Sequence, residues 1–595
     1  MPAFTPPAAG TLTTGLQAEK SAAVDPVSNA EIGAQQDEKS DDSGSDKAVI
    51  GDSELQHGVA KIEALASVWS KRDLYIAYIG IFLIFFMNSL QQQVTGNLTA
   101  YVTSAFAMHS LVSTIAIVSN IVGGVFKLPI AKLCDIWGRP EVFVIMLILT
   151  IIGLAMMASC KTVSVYAGAQ VFYWVGFNGM SYVLNVFMAD TSSIKNRALV
   201  FAFSTTPYIG TTFAGPALAQ DFYQHSTWRW GHGVWTIIVP FFCLPFLTVV
   251  FRNQSKAKEA GLIKREKSNR TLAENISYYF WEFDVVGLAL LSAGFVLVLL
   301  PMALANYQRN TWRSGTIIAM FVVGGLCLIC FAIYEKFYSR KCFIPFELIL
   351  DRTILGACAL SATIFISFYC WDAYYSSYVQ VVHNQSIENA GYIYNIYSIG
   401  SCFFAVIVGV IIKYTRRFKY ITLCFGVPLY VLATGLMIHF RMSHVSIGYV
   451  VMCQIFIAFA GGVLVIAEQL AVMSTTKHQN VAAVLAVLGL CSSIGGGIGS
   501  AISGAIWTST LPEELRKRLP DNIKSQYYEI YSSLPVQLSY AWGSREREAI
   551  ISAYAATQRL MVIAATVVMA FSFIWVGVWR NIKLEQVKNT KGLVF

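Results

Sequence analysis

The sequence predicts an all-α protein that spans a membrane many times. Of its 595 residues, 55% are hydrophobic and only 13% are charged, whereas about a quarter of the residues in a soluble domain carry charge. Apolar stretches of about 20 residues, long enough to cross a bilayer as a helix, recur along the chain. Backbone polar groups that face lipid must be bonded within their own segment, so each stretch must be helical. Soluble, disordered, collagen-like and disulfide-rich secreted classes are thereby excluded.

The hydrophobic pattern divides the chain into fourteen candidate spans. They are predicted at 75–95, 107–130, 141–160, 163–189, 198–221, 232–251, 283–305, 314–335, 354–381, 390–412, 420–440, 446–472, 481–507 and 557–580. Residues 1–72 contain 11 Asp/Glu and 6 Lys/Arg without an apolar run, so we expect a disordered acidic tail there. Because the remaining charges lie between apolar segments, they predict membrane topology and no binding of nucleic acid.

The distribution of basic residues predicts the orientation. With the N-terminus inside, the short inner loops hold 20 Lys/Arg and the short outer loops hold 5. Cytoplasmic loops are enriched in Lys and Arg, so we expect both termini inside the cell. The connection 508–556 would then be extracellular.

A polar loop after the second span carries a recognisable motif. It reads Pro129-Ile-Ala-Lys-Leu-Cys-Asp135-Ile-Trp-Gly138-Arg139, and it resembles the signature loop of the major facilitator superfamily. The resemblance implies a gate: Asp135 and Arg139 can form charge-assisted hydrogen bonds, and Gly138 permits a tight turn. A degenerate copy lies 280 residues later, with Thr415 in place of the acid.

The two copies predict a pseudosymmetric molecule, as in other transporters with internal repeats. We expect a six-helix half at 73–251, a cytoplasmic linker at 252–282, an extra helix pair with its following loop at 283–352, a second six-helix half at 353–580 and a tail at 581–595.

Four further stretches resemble the fungal siderophore–iron transporter branch of that superfamily. They are Trp228-Arg-Trp-Gly-His-Gly233, Ala189-Asp190-Thr-Ser-Ser-Ile-Lys-Asn-Arg197, Phe283-Asp284-Val-Val-Gly287 and the long connection with Tyr527-Tyr528 and Ala541-Trp542-Gly543. Arg197 joins the predicted gating residues. Multidrug antiporters carry paired glycines after the Gly215-Pro216 motif, but this chain has Ala219-Gln220. Proton-driven efflux of drugs is therefore the less favoured alternative.

The resemblance implies proton-coupled uptake of an intact ferric siderophore, mainly of the hydroxamate type, by a monomer in the plasma membrane that can cycle through endosomes. A receptor that does not transport is a minor alternative, and no enzyme motif is present. We expect no cofactor and no metal site in the protein, because the eight histidines are scattered and the iron is already enclosed by its chelator. Cys327 and Cys330 form a C-x-x-C pair, which we interpret as small apolar residues of a helix rather than a redox or metal site.

A bulky amphipathic chelate favours a cavity of aromatic and hydroxyl groups. The predicted substrate-binding residues are Tyr173, Trp174, Trp371, Tyr374, Tyr375, Tyr378, Tyr394 and Tyr397. The spacing from Trp371 to Tyr378 places four aromatic rings on one helical face. An aromatic belt at the membrane interface is the alternative for these four.

Ionisable residues within spans predict the proton path, because they are costly in a bilayer. Asp372 and Glu468 are the leading candidates and Asp190 follows; a structural ion pair, for example with Lys127, is the alternative. In the 508–556 connection, Tyr527, Tyr528 and Trp542 predict a lid over the outer cavity. A tolerated surface insertion is the alternative there.

Overall fold

The computed structural model describes residues 69–191, 206–260, 284–304, 311–338, 350–476 and 481–582, with isolated positions between 271 and 281. Residues 1–68 of the predicted tail, most of the predicted linker from 261 onward, and Arg197 lie outside the described residues. The last two residues of the predicted tail begin the first helix at Lys71, and residues 252–259 of the predicted linker continue the helix that ends at Glu259. Within the described part every regular element is a helix, and eleven helices are long and apolar enough to cross a membrane. The all-α prediction is therefore confirmed, while the number fourteen and the orientation stay predictions.

The helices of the N-terminal part and the extra pair follow the chain in order. They are α1 (Lys71–Ala105), α2 (Val112–Val125), α3 (Lys127–Ile136), α4 (Arg139–Ser159), α5 (Val163–Thr191), α6 (Pro207–His225), α7 (Trp228–Gly233), α8 (Trp235–Glu259), α9 (Val285–Leu304) and α10 (Gly315–Phe337).

The helices of the C-terminal part complete the bundle. They are α11 (Arg352–Asp372), α12 (Tyr375–His383), α13 (Ile387–Thr415), α14 (Lys419–Phe440), α15 (Ile447–Thr475), α16 (Val481–Arg518), α17 (Tyr527–Ser532), α18 (Leu534–Ser539), α19 (Arg545–Ala570) and α20 (Ser572–Val578).

Each half of the bundle has its own apolar core. In the N-terminal half α1, α4, α5 and α8 share a core that includes Ile81, Phe143 and Phe246. In the C-terminal half the core is formed by α11 to α16 and α19 and includes Ile457 and Met561. The two halves meet where α2 packs on α16 and where α6 packs on α13.

Glycines allow the close approach of α16 to its neighbours. A methyl group added at Gly124 of α2 would lie 2.3 Å from Cβ of Ser493, and one added at Gly495 would lie 2.3 Å from the carbonyl oxygen of Ala362 in α11. Both distances are shorter than van der Waals contact. The glycine-rich run of α16 therefore packs on both halves at once, as small residues do at helix interfaces in membranes.

The extra pair covers the α2–α16 seam. Leu291 and Leu299 of α9 pack with Ile121 of α2 and Leu490 of α16 in a separate apolar cluster, and α10 packs on the outer side of α9. Asp284 begins α9: its Oδ1 accepts hydrogen bonds from the backbone N–H of Gly287 at 3.2 Å and from the Tyr334 hydroxyl at 2.8 Å. The Asp284-Val-Val-Gly287 motif thus caps α9 and fixes it to α10.

The connection between the last two long helices is shorter than the predicted loop 508–556. Helix α16 continues to Arg518 and α19 already begins at Arg545. Salt bridges one helical turn apart, from Lys517 to Glu513 at 2.8 Å and from Arg518 to Glu514 at 2.7 Å, stabilise the charged end of α16. Ser544 caps α19 by accepting a hydrogen bond from the backbone N–H of Arg547. The apolar pattern missed these polar turns because it registers only the membrane-embedded part of a helix.

Candidate functional site

The helix bundle has two ends, and its polar interior lies between them. The loop end is the end at which residues 106–111 and 519–544 lie, and the motif end is the end at which α3 joins α4. The site residues lie between these ends, and most of the predicted ones belong to the C-terminal half.

Helix α11 stops at Asp372 and the chain resumes helical structure at Tyr375, so the predicted ninth span is broken near the loop end. Tyr374 at the break has φ −119° and ψ 21°. The four predicted aromatic residues are all buried, which argues against the aromatic belt that faces lipid. The break also divides the predicted single face: Tyr374 turns toward the N-terminal half, while Trp371, Tyr375 and Tyr378 stay within the C-terminal half.

A fully buried arginine, Arg441, lies against this break. Its Nη1 donates a hydrogen bond to the carbonyl oxygen of Trp371 at 2.7 Å, and its guanidinium lies 4.6 Å from the ring centre of Tyr375 and 4.8 Å from that of Tyr378. Its Nε and Nη2 have no hydrogen-bond partner in the described chain. Aromatic faces stabilise a desolvated guanidinium by about 2 kcal/mol, so these rings hold Arg441 at the hinge of the broken helix.

Asp372 supplies the negative charge beside Arg441. Its carboxylate is buried and interacts electrostatically with the guanidinium, and its Oδ2 accepts a hydrogen bond from the Tyr394 hydroxyl at 3.1 Å. The structure therefore brings together three elements of the C-terminal half: the end of α11, the N-terminal part of α13 and the loop after α14.

Glu468 forms a second buried acidic position on α15. Its Oε1 accepts a hydrogen bond from Ser361 of α11 at 3.1 Å, and the Ser361 hydroxyl in turn lies 2.6 Å from the Ser492 hydroxyl of α16. Its Oε2 has no hydrogen-bond partner in the described residues. Tyr397 lies near both acids and interacts electrostatically with each. A carboxyl group with one free oxygen, reached through hydroxyls, is suited to accept and release a proton.

The predicted aromatic residues of the N-terminal half have neutral partners. The Tyr173 hydroxyl donates to Oε1 of Gln91 at 2.7 Å, and Gln91 donates to Thr95 at 2.8 Å. Tyr173 is fully buried, whereas Trp174 is half-buried. The rings of both pack on Phe177.

The two halves are joined by hydrogen bonds toward the loop end. Tyr101 of α1 donates to Oε1 of Gln380 on α12. Tyr374 donates to the carbonyl oxygen of Ser110 at 2.8 Å and to the Ser113 hydroxyl at 3.2 Å. Further pairs join Gln93 with Asn395 at 3.0 Å, Gln220 with the backbone N–H of Glu388 at 3.1 Å, and Ser104 with the backbone N–H of Leu534 at 3.0 Å.

Gln220, one of the residues that replace the antiporter glycines, is therefore part of this contact between the halves. Its neighbour Gly215 packs closely as well, since a methyl group added there would lie 2.3 Å from Cβ of Gln93. The departure from the antiporter motif thus has a structural role at the α6–α13 interface.

The motif end contains the predicted gating residues. Gly138 has φ +106°, a conformation that favours glycine, between α3 and α4. Arg139 is buried and its Nη1 donates to the carbonyl oxygen of Cys134 at 2.9 Å. Asp135 and Asp190 lie in α3 and α5, but their side chains, like all of Arg197, lie outside the described part. In the second copy, Arg416 ends α13 in the left-handed conformation with φ +54°.

The predicted lid residues differ in their surroundings. Tyr528 and Trp542 are exposed, whereas Tyr527 is half-buried and accepts a hydrogen bond from Arg516. Arg547 is buried beneath this connection, where it donates to the carbonyl oxygens of Gln537, Gln380 and Val381. It thereby fixes the connection to α12.

Sequence reasoning missed Arg441, Arg547, Gln91 and Gln93. Arg441, next to the predicted span 420–440, has the position of a loop charge, and Arg547 belongs to the long predicted connection 508–556. Only their burial after folding distinguishes them from exposed topology markers. The polar run Gln91-Gln92-Gln93 within the first span was the available signal for the glutamines, since polar side chains at membrane depth are costly.

No group of three or more His, Cys, Asp or Glu side chains that could hold a metal ion occurs among the described residues. The arrangement that is present consists of aromatic rings, hydroxyls, amides and two separate buried acids.

Comparisons with known proteins are consistent with this architecture. The model of the Major Facilitator Superfamily matches residues 78–500. The chain is 51% identical to "MFS siderochrome iron transporter 1" of Ajellomyces capsulatus over 91% of this chain and 92% of that protein. It is 42% identical to "Siderophore iron transporter mirB" of Emericella nidulans over 97% and 94%, and 41% identical to "Siderophore iron transporter 1" of Schizosaccharomyces pombe over 91% and 89%.

Solved structures share the fold at low sequence identity. A bacterial homologue of the lysosomal transporter Spinster, in an inward-facing and occupied conformation, aligns with a TM-score of 0.51 at 15% identity over 86% of this chain and 97% of that one. An auto-inhibited POT family peptide transporter aligns with a TM-score of 0.53 at 12% identity over 86% and 99%. The fold, the family match and the extended sequence identity agree, and the chain belongs to the siderophore iron transporters of the major facilitator superfamily.

Proposed function

We propose that this protein takes up intact ferric siderophores, with the hydroxamate class as its main cargo. The observation that carries the proposal is the identity of 41–51% to several named siderophore or siderochrome iron transporters over nine-tenths of the chain. Family membership also makes the protein a transporter rather than an enzyme.

The interior chemistry supports a cargo whose iron is already coordinated. Free ferric iron would need a cluster of oxygen or nitrogen ligands, and the described residues contain none. Rings such as Trp174 and Tyr397, together with amides such as Gln91, offer apolar surface and neutral hydrogen bonds instead. These suit a bulky chelate with apolar flanks and peptide-like edges.

Transport is driven by protons in this proposal, with Asp372 and Glu468 as the leading carriers and Asp190 as the next. Both described acids are buried, so each can hold a proton during the passage of the cargo and lose it when solvent enters. Alternating access is supported by the hydrogen bonds between the halves near the loop end, which must break for that end to open.

The loop end faces the cell exterior in this proposal and the motif end faces the cytoplasm, with both termini inside. The protein acts as a monomer in the plasma membrane and passes through endosomes. The 519–544 connection, with Tyr527, Tyr528 and Trp542, serves as a lid, while Asp135, Gly138, Arg139 and Arg197 form the inner gate.

Accumulation of radio-iron siderophores in an iron-starved yeast that lacks its own carriers tests the proposal. We expect uptake of at least one ferric hydroxamate, lost when the proton gradient is dissipated at constant ATP. Cells that carry the empty vector are the control. Export of a fluorescent drug without uptake of any siderophore would establish the efflux alternative instead.

A further inference from the structure

His109 occupies an unusual position in the connection between α1 and α2. It lies in a short turn at His109–Leu111, at the loop end of the N-terminal half, and its side chain is 0% exposed. A histidine in a connection outside the long helices would ordinarily reach solvent. Here the C-terminal half covers it.

The cover is a pair of stacked aromatic rings. Tyr374, at the break of α11, lies parallel to Trp507 of α16 with ring centres 3.9 Å apart and an angle of 3°. The His109 ring meets both rings edge-on, with its centre 6.0 Å from each. Tyr374 also donates the hydrogen bonds to Ser110 and Ser113 that join the halves. His109 is therefore buried only while the loop end is closed.

The imidazole lacks the partners that a charged ring would need. Neither Nδ1 nor Nε2 makes a hydrogen bond of ordinary geometry with a described residue, and the backbone of Ala100 is the nearest group that favours a charged ring. Burial lowers the pKa of His109 to about 4, and the backbone of Ala100 opposes this shift in part. A protonated imidazole would carry a desolvated charge between apolar rings, which is costly.

Other titratable groups on the packed elements do not offset this cost. Near the loop end they are Tyr101 on α1, Asp372, Tyr374 and Tyr375 at the hinge, Tyr527, Tyr528, Glu529 and Tyr531 on α17, Tyr554 behind Trp507, and Glu513, Glu514, Arg516, Lys517 and Arg518 at the end of α16. Residues of α2 contribute no charged group. None of the acids on these elements contributes to the shift of the His109 pKa.

We propose that His109 is a proton-binding site that opens the loop end of the transporter when it is protonated. The inference rests on the proposed alternating-access transport and names a residue of the N-terminal half that makes the opening of the loop end depend on pH. The direction in which pH shifts the equilibrium between open and closed states follows from the burial of His109. The closed state holds the ring neutral, while an open state exposes the ring to water and restores its ordinary pKa of 6.5. Falling pH therefore favours the open state between these two values.

Protonation of His109 changes the ratio of open to closed transporter. At pH 5.5 a group whose pKa is 6.5 in the open state and about 4 in the closed state raises the open-to-closed ratio about tenfold over its value at neutral pH. An acidic exterior would thus expose the cargo site. Closure around the cargo would then require that His109 lose its proton.

Spin-label distance measurements on the full chain in nanodiscs test the proposal without any cargo. Labels on Ser226→Cys and His444→Cys, two exposed positions at the loop ends of different halves, report the separation of the halves. The exposed Cys330 and Cys424 are replaced by serine in this background. We expect the long-distance population to grow about tenfold relative to the short one between pH 7.5 and pH 5.5.

Two variants test whether the pH-dependent change in distance is caused by His109. His109→Gln, which cannot be protonated in this range, is expected to abolish it, whereas His439→Gln, at an exposed histidine of the same end, is expected to leave it unchanged. A response that survives His109→Gln overturns the proposal. The proposal is also overturned if the labelled protein with His109 intact shows a distance distribution that does not change between pH 7.5 and pH 4.5. This second measurement does not depend on whether the His109 variant folds.

The readout also separates the two proposals. Because no siderophore is present, a His109-dependent response would stand even if uptake of every siderophore failed. Conversely, siderophore uptake by a protein without this response would retain the proposed function and reject His109 as its proton site.

Discussion

The two halves of the bundle bury different kinds of polar group. In the N-terminal half, Tyr173 is bonded to the neutral amide of Gln91. In the C-terminal half, the interior contains Arg441, the acid Asp372 that interacts with it electrostatically, and the separate acid Glu468. Neutral groups can bind a chelate of little net charge without a large desolvation cost, whereas buried charges respond to protons. We therefore expect substitutions at Tyr173 to act on cargo contact, and substitutions at the two acids of the C-terminal half to act on proton coupling.

The loop motifs of the two halves also differ, and here the acidic residue belongs to the N-terminal half. The N-terminal motif has Asp135 after the second span, while its repeat has Thr415. The half with the neutral interior thus keeps the acid of the gate, and the half with the charged interior has lost it. Each half therefore departs from strict pseudosymmetry in a different place. Substitutions at these places can test whether the departures affect stability and uptake.

The largest effect is expected at Arg441. Replacement by Gln removes the hydrogen bond to the Trp371 carbonyl and the contacts of the guanidinium with the Tyr375 and Tyr378 rings, a change that costs about 2 kcal/mol or more. We expect a lower melting temperature and uptake below about a tenth of normal. Arg441→Lys should be intermediate, because a lysine cannot make the planar contacts with Tyr375 and Tyr378.

The double variant Arg441→Gln with Asp372→Asn tests the pairing itself. It should regain most of the lost thermal stability, since no charge is left buried alone. Equal melting temperatures of the single and double variants would show that the two side chains do not act as a pair.

Removal of a proton carrier should give the next largest effect. Glu468→Gln is expected to reduce gradient-driven accumulation about tenfold or more while siderophore binding persists, because the amide cannot exchange a proton. Ser361→Ala, which removes only the hydrogen bond to Glu468, serves as the matched control and should cost severalfold at most. Full accumulation by both Glu468→Gln and Asp372→Asn would move the role to Asp190.

Substitutions in the two loop motifs test whether the acid of the N-terminal motif is needed for gating. Asp135→Asn is expected to lower the uptake rate about fivefold to tenfold through the loss of about 1 kcal/mol of charge-assisted bonding, with surface expression unchanged. Thr415→Ala in the degenerate copy should have little effect on the same rate. Normal uptake by a correctly expressed Asp135 variant would contradict the proposed gate.

A smaller effect is expected in the neutral half. Tyr173→Phe removes the hydroxyl that donates to Gln91 and should raise the apparent KM severalfold, in line with about 1 kcal/mol for a lost hydrogen bond. The pH profile of uptake should not change, because no charge is altered. A shifted pH profile would break the proposed division between the halves.

The smallest effect is expected from the lid. Simultaneous change of Tyr527, Tyr528 and Trp542 to Ala should raise KM by a factor of about two to five, because exposed rings contribute only part of their area to a contact. The amount of protein at the cell surface should stay the same. Unchanged kinetics would identify the connection as a passive linker.

Several features were accessible from residues alone. Apolar runs predicted the all-α class, and the motifs around Asp135, Trp228 and Asp284 predicted the family, which the comparisons confirm. The structure buries the aromatic residues from Trp371 to Tyr378 and the acids Asp372 and Glu468, while their predicted roles in substrate binding and proton coupling stay predictions. These inferences succeed because lipid imposes a strict length and composition on every span and because turns and caps require particular residues at fixed spacings.

Other features arose only from the folded chain. The break after Asp372 splits an aromatic face that looks continuous in the sequence, and the halves close over His109 although nothing around that residue marks it. Arg441 and Arg547 read as ordinary basic residues between spans, yet packing buries both. Local patterns report which segments leave water, whereas the burial of a given charge depends on which distant helix covers it. That covering is a property of tertiary packing, and here it encloses Arg441 and Arg547 among aromatic rings and backbone carbonyls of the C-terminal half.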